Sequence, residues 1–202
     1  MNISTFIASP RKKGNSKYIA EHFLKGVSSW NEESNEENKD DSQENKLIRL
    51  TDYNIHPCRG CGYCDDKAKC VINDDMKTLY PIIEDSDIIT FVTPIYFASV
   101  PAQFKAFIDR FQPYYAAKYM LKEPVIPPSN NKKVILYVVS GYNKQSFFEN
   151  VKGILEIFCL NLNIDFSHSF YYGGIDALGE ILNRPEILNE IETFGQNLQD
   201  EL

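Results

Sequence analysis

The sequence predicts a doubly wound α/β fold: five parallel strands in the order 2-1-3-4-5, with helices between them. Two observations lead there. Apolar, strand-like runs alternate with segments of helical periodicity, the pattern of successive βα units. Glycine, serine and proline gather just after several of the strand-like runs, where such sheets bind ligands.

Residues 2–9, rich in Ile, Thr and Phe, read as strand 1, and 10–15 as a polar turn. Residues 16–27 follow at helical spacing, with Tyr18, Ile19, Phe23, Leu24 and Val27 as the apolar stripe. The stretch 29–45 is almost wholly polar and is expected to be a flexible acidic insertion, since it has little apolar surface to bury. Strand 2 is expected at 46–50, then a cysteine loop at 58–70, then a helix at 76–83 with Asp74 and Asp75 at its positive end. Strand 3 is expected at 87–93, closed by Pro94, and a helix at 100–111 with Pro101 in its first turn. Residues 112–131 contain Pro113, Pro124, Pro127 and Pro128 and read as a long irregular connection. Strand 4 at 134–140, a helix at 145–160, strand 5 at 165–172 and a closing helix at 181–198 with Pro185 near its start complete the chain. There are no internal repeats, and the expectation is one domain over 1–202.

The 202 residues carry a net charge of −7, and 43% are hydrophobic, an ordinary fraction for a folded core. Residues 31–45 hold seven carboxylates against one lysine, so nearly all the net charge belongs to that segment. The basic excess of a nucleic-acid binder is absent. No apolar run approaches the ~18 residues of a membrane span, and the start lacks a basic signal-peptide region, so the expected location is cytoplasmic.

The loops at the carboxyl edge carry the chemistry. Ser9-Pro10-Arg11-Lys12-Lys13-Gly14-Asn15-Ser16 offers backbone N–H groups, hydroxyls and a helix N-terminus to a phosphate. It is neither a Walker A loop nor a G-x-G-x-x-G turn. Pro94-Ile95-Tyr96-Phe97-Ala98-Ser99 suits a flat heteroaromatic ring, or else caps the core. Ser140-Gly141-Tyr142-Asn143 and Tyr172-Gly173-Gly174 permit close backbone approach. His22, His56 and His168 are scattered, so no acid–base dyad is expected, and Asp109 and Arg110 read as helix-packing or ion-pairing residues.

Four of the five cysteines follow as Cys58-x2-Cys61-x2-Cys64-x5-Cys70. Such soft ligands suit Zn²⁺ or an iron–sulfur cluster, and the spacing is closer to a ferredoxin run than to paired zinc knuckles. A metal-free loop and a redox disulfide remain alternatives. Gly60 and Gly62 allow a tight wrap.

The phosphate-type loop, the cysteine loop followed by Asp74-Asp75-Met76, the Pro94-x-Tyr96 turn and Pro101-Ala102-Gln103-x-Lys105-x-Phe107-x-Asp109-Arg110 occur together. In this combination the chain resembles the NADPH-dependent FMN reductase group of flavodoxin-like proteins, and within it the iron–sulfur flavoproteins. The resemblance implies an FMN-dependent oxidoreductase with NAD(P)H as donor. Ser9, Arg11, Asn15 and Ser16 would hold the FMN phosphate. Pro94, Tyr96 and Phe97 would line the isoalloxazine, with Ser140, Gly141, Gly173 and Gly174 near its other rim. Cys58, Cys61, Cys64 and Cys70 match positions that ligate a [4Fe-4S] cluster, which would link a ferredoxin-like or small-molecule redox partner to the flavin. A homodimer or homotetramer is implied as well. Ala8 departs from the group's usual glycine, and its methyl is expected to narrow the approach to the phosphate. Two readings from other classes are a non-enzymatic FMN-binding electron carrier and a zinc-stabilised interaction module.

Overall fold

The structure, a computed structural model, describes residues 1–34, 45–128 and 130–202. Five strands, β1 (Ile3–Ile7), β2 (Asn45–Arg49), β3 (Ile88–Pro94), β4 (Lys133–Ser140) and β5 (Asp165–Gly173), form one sheet. Their order is β2-β1-β3-β4-β5 and every pairing is parallel, so the fold is flavodoxin-like. Between them run α1 (Asn15–Ser34), α2 (Tyr63–Lys67), α3 (Met76–Asp85), α4 (Ala102–Asp109), α5 (Gln112–Tyr115), α6 (Gln145–Leu162), α7 (Pro185–Gln196) and α8 (Leu198–Glu201).

Strand side chains alternate between faces, which sorts the core into two clusters. Ile3, Ile7, Ile88, Val92, Tyr137 and Val139 pack under α1 and α7 with Ile19, Phe23, Leu188 and Ile191. Phe6, Ile89, Phe91, Leu136 and Val138 point the other way, toward Leu79 of α3, Phe104 and Phe107 of α4, and Leu155 and Phe158 of α6. That second layer is dense in rings: Phe91 lies 5.1 Å from Phe104 and 5.7 Å from Phe158, in tilted and edge-on arrangements that favour the ring quadrupoles. Because both faces are covered, β3 and β4 are almost continuously apolar.

The element expectations hold for the strands and need correction elsewhere. The first helix does not stop at residue 27. It runs through 34, with Ser28 and Ser29 hydroxyls donating to the carbonyls of Leu24 and Lys25 one turn back. The expected acidic insertion at 29–45 therefore begins as helix, and its 35–44 portion lies outside the described residues. The proline-rich stretch 112–131 is not irregular throughout. Pro113 sits at the start of α5, where its missing N–H costs nothing, and a π-helical turn (Ala116–Met120) follows over buried Ala116 and Ala117. Pro185 likewise opens α7, and the expected start of that helix is instead a separate 3₁₀ turn (Glu180–Asn183). A short helix, α2, lies inside the cysteine loop, between Gly62 and Ala68 in left-handed conformations.

α1 and α7 touch backbone to backbone. A Cβ at Gly26 would lie 2.0 Å from the Glu192 carbonyl oxygen, and one at Gly195 would lie 2.5 Å from that of Phe23. Glu192 reinforces the crossing through His22 Nδ1 (3.1 Å) and Lys25 Nζ (2.8 Å), which together hold its carboxyl below the usual range against the cost of burial. Gly153 of α6, by contrast, has nothing within 4 Å of its would-be Cβ. Gly26→Ala is expected to destabilise the protein by about 1–3 kcal/mol or more, and Gly153→Ala to stabilise it by roughly 0.4–1 kcal/mol. Urea unfolding midpoints of the two variants check this.

Candidate functional site

The parallel arrangement brings the loops after β1, β3, β4 and β5 to one edge. β1 ends at Ile7, and Ala8 still bonds the sheet, its N–H donating to the Val92 carbonyl at 2.9 Å. Ala8 buries its methyl in the cluster beneath α4 and α6. It faces away from the loop's cavity, so the expected narrowing of the phosphate approach does not occur. Ser9 then accepts the Arg11 N–H on its hydroxyl (3.2 Å), and the Gly14 N–H closes on the Arg11 carbonyl (3.0 Å). A Cβ on Gly14 would sit 3.0–3.1 Å from Arg11 Cβ, Arg11 O and Ser9 Oγ, so the turn is drawn as tight as a side chain-free residue allows.

This loop leads into the first turn of α1, whose N–H groups lack intrahelical acceptors. Ser9, Arg11, Gly14, Asn15 and Ser16 line a cavity of about 40 Å³, closed on its far side by Pro94, Tyr96, Ser140 and Asp176. Ser16 is 1% exposed, and its hydroxyl is without a partner among the described residues. Asn15 is committed differently. Its amide donates to the Ala177 carbonyl (3.0 Å) and its oxygen accepts the Ile181 N–H (3.2 Å), which ties the segment after β5 to the start of α1. Arg11 Nη1 donates to the main-chain oxygen of Asp176 (3.0 Å) and leaves the cation at the cavity mouth.

A larger cavity of about 700 Å³ adjoins, sharing Arg11, Tyr96, Ser140, Gly141 and Asp176 with the small one. Its walls are Tyr96, Phe97, Tyr142 and Phe147. The Tyr96–Ser99 turn is hydrogen-bonded both ways across its ends (2.9 and 3.0 Å). Its central residues Phe97 and Ala98 both have positive φ, 48° and 59°, as in a type I′ turn. Side chain-bearing residues there cost about 1–2 kcal/mol each. Asn150 holds the turn by donating to the Ala98 carbonyl (3.1 Å), and the Phe97 ring stands fully exposed.

Gly141 is required by proximity, since its Cβ would meet Asp176 at 2.9 Å. Of the expected residues, Ser9, Arg11, Asn15, Ser16, Pro94, Tyr96, Phe97, Ser140 and Gly141 line the two cavities. Gly173 and Gly174 do not. Gly173 gives its space to Asn143 (2.6 Å to a would-be Cβ), and Gly174 turns the chain at φ 76°. The lining passes instead to Ile175 and Asp176, which sequence reasoning missed along with Phe147, while Tyr142 is named there only as part of its loop. The adjacent Gly173-Gly174 pair was the available signal, displaced by the turn it makes.

The cysteine loop forms a second concavity. Cys58, Cys61, Cys64 and Cys70 are free thiols lining a cavity of about 440 Å³, together with Ile72, Arg110 and Gln112. Burial first, then the Asp65 carboxylate, pushes the Cys64 thiol up, and Cys58 and Cys61 add to the rise. Among the described residues no three His, Cys, Asp or Glu side chains are already gathered tightly enough to hold a metal ion. Donor set and space both fit a tetrathiolate centre, which would draw the sulfurs inward.

The neck of this loop is firmly built. Asn54 and His56 N–H groups donate to Asp75 (2.6 Å) and Asp74 (2.9 Å) carboxylates. Burial opposes ionisation of Asp74, but Arg110 and the N–H groups of His56 and Met76 outweigh it and hold the carboxyl below its usual range. Asp109 instead pairs with Lys105 at the surface (2.5 Å). A depressed folded value means Asp74 contributes stability above the ordinary carboxylate range and loses it as pH falls through that depressed value. Asp74→Asn leaves Arg110 buried without its counter-ion and is expected to cost about 3–5 kcal/mol at pH 7, less at acid pH. Urea titrations at both pH values check this.

The family model for NADPH-dependent FMN reductase matches residues 1–152. An iron-sulfur flavoprotein of Archaeoglobus fulgidus is 35% identical over 108 residues, 54% of this chain and 44% of that protein. One from Methanosarcina thermophila is 31% identical over 125 residues, 62% of this chain and 60% of that protein. The chain thus spans about half the length of the curated relatives it matches. Among solved structures, an NAD(P)H:quinone oxidoreductase from Methanothermobacter marburgensis superposes with TM-score 0.67 at 18% identity, covering 98% of this chain and 97% of that one. An azoreductase from Bacillus anthracis str. Sterne gives TM-score 0.67 at 14% identity, covering 98% and 99%. At such identities the likeness is one of fold.

Proposed function

Because the chain belongs to the NADPH-dependent FMN reductase family, we propose that it is an FMN-dependent oxidoreductase drawing electrons from NAD(P)H. The buried Ser16 hydroxyl, without a partner among the described residues, carries this reading, since it sits at a helix N-terminus in a small polar cavity, the chemistry a monophosphate requires. Ser9, Arg11 and Ser16 hold the phosphate, and Asn15 keeps the cradle in shape. Pro94, Tyr96 and Phe97 flank the ring on one side, Ser140 and Gly141 on the other, with Gly173 and Gly174 setting the turn behind them. FMN bound there supplies a carrier that takes electrons in a pair and releases them singly or together. The residues around it orient the ring and shield one face from water, and the exposed side at Phe97 and Tyr142 admits a flat donor or acceptor.

The cysteines extend the proposal: Cys58, Cys61, Cys64 and Cys70 hold an iron–sulfur cluster that passes electrons between the flavin and a redox partner. Their common cavity supports this, as does the name of the relatives, iron-sulfur flavoprotein. Zinc would use the same thiols. We read residues 1–202 as one domain, in a homodimer or homotetramer whose second copy covers the exposed rings. We take the location to be cytoplasmic, and no helix among the described residues is long and apolar enough to cross a membrane.

Calorimetry with FMN tests the central reading. Wild type is expected to bind, and Ser16→Ala to bind about ten- to a hundredfold more weakly, from the loss of a hydrogen bond to a charged group. Riboflavin, lacking the phosphate, is expected to bind both equally. No heat from FMN on folded protein sinks the assignment. Bleaching of the FMN-loaded protein by NADPH or NADH under nitrogen supports the enzyme, and reduction by a protein donor alone supports the electron carrier. Anaerobically purified protein is expected to hold about four iron and four sulfide per chain, and stoichiometric zinc without sulfide overturns the cluster.

A further inference from the structure

Arg110 heads the fully buried side chains in volume, at 1% exposure, and the flavin cavities make no use of it. It lines the cysteine cavity. Packing alone does not account for a guanidinium there, because an apolar side chain of similar volume fills such a space without the cost of desolvating a charge. Its bonds are specific. Nη1 donates to the His56 carbonyl (2.9 Å) and to Asp74, Nη2 donates to the other Asp74 oxygen (3.0 Å), and the Arg110 carbonyl accepts the Tyr80 hydroxyl (2.6 Å). Nε is without a partner among the described residues.

His56 comes two positions before Cys58, and Asp74 four positions after Cys70. One planar fork on α4's C-terminal end therefore grips both strands of the loop's neck at once. We infer that Arg110 is the positioning residue of the cysteine loop: it clasps the entry and exit of the loop and, paired with Asp74, places a guanidinium on the wall of the cavity that the four thiols line. The charge matters because four thiolates around iron–sulfide or zinc carry net negative charge, and the surroundings of a buried side chain screen it weakly. Lysine would retain the charge but not the two-sided grip, since an ammonium lacks the planar fork. This inference rests on the reading that the loop holds a tetrathiolate centre, but its mechanical half does not.

The test uses the FMN-loaded, anaerobically purified 202-residue chain in wild-type, Arg110→Met and Arg110→Lys forms. Hydrogen exchange across residues 56–74 is expected to accelerate about tenfold or more in both variants, with the strands unchanged. Chelator-driven loss of the bound metal is expected to accelerate in parallel. In cluster-loaded protein the reduction potential is expected to fall in Arg110→Met, which leaves the buried Asp74 carboxylate without its counter-ion, and to stay near wild type in Arg110→Lys. Wild-type exchange in both variants, or acceleration spread evenly over the sheet, overturns the clasp. An unchanged potential in Arg110→Met overturns the charge. If Arg110→Met does not fold, Arg110→Lys is read by the same exchange criterion. Wild-type protein that holds neither iron, sulfide nor zinc refutes the cysteine-loop reading by itself, and the exchange experiment still decides the clasp.

Discussion

Parallel pairing is the constraint from which the rest of this molecule follows. Every strand of the sheet β2-β1-β3-β4-β5 points the same way, so every strand's carboxyl end meets the same edge. The order in which strands are added reverses between β1 and β3, where the crossovers leave to opposite faces and open a crevice. A phosphate-type turn, a strained aromatic turn and two glycine turns share that crevice because the sheet leaves them nowhere else to go. The strain at Phe97 and Ala98 persists because the turn is tied at both ends and by Asn150.

Backbone proximity is the second theme. Gly14, Gly141 and Gly173 each surrender a side chain so that another group can approach, and Gly26 and Gly195 let α1 and α7 meet directly. The same helix α1 thus carries two duties. Its first turn faces the small polar cavity, and its middle anchors the layer beneath, so the cradle is held by helix packing as well as by Asn15.

The cysteine loop is organised on another principle. Its interior has little apolar surface of its own, so its shape comes from the neck. Asp74, Asp75 and Arg110 convert two chain segments 18 residues apart into one hydrogen-bonded base. Four thiols and the Arg110 guanidinium share one cavity wall, so the residue that shapes the loop's neck also reaches its interior.

Local pattern alone determined the five strands, their parallel class and the loops that matter, because buried strands and glycine turns leave composition signatures that no distant contact alters. It also determined the thiol spacing and the phosphate-type turn at Ser9–Ser16. The length of α1, the helices hidden in the proline-rich stretch, the direction of the Ala8 methyl and the commitment of the Asn15 amide were decided only by folding. Each depends on what lies across the sheet or across the edge: Ala117 under its neighbours, Ile181 beside Asn15, Asp176 where Gly173 and Gly174 were expected. Arg110 makes the point most sharply. In sequence it is one charged residue at a helix end, and its meaning arises from His56 and Asp74, 54 and 36 positions away, which only the tertiary structure brings within reach of a single guanidinium.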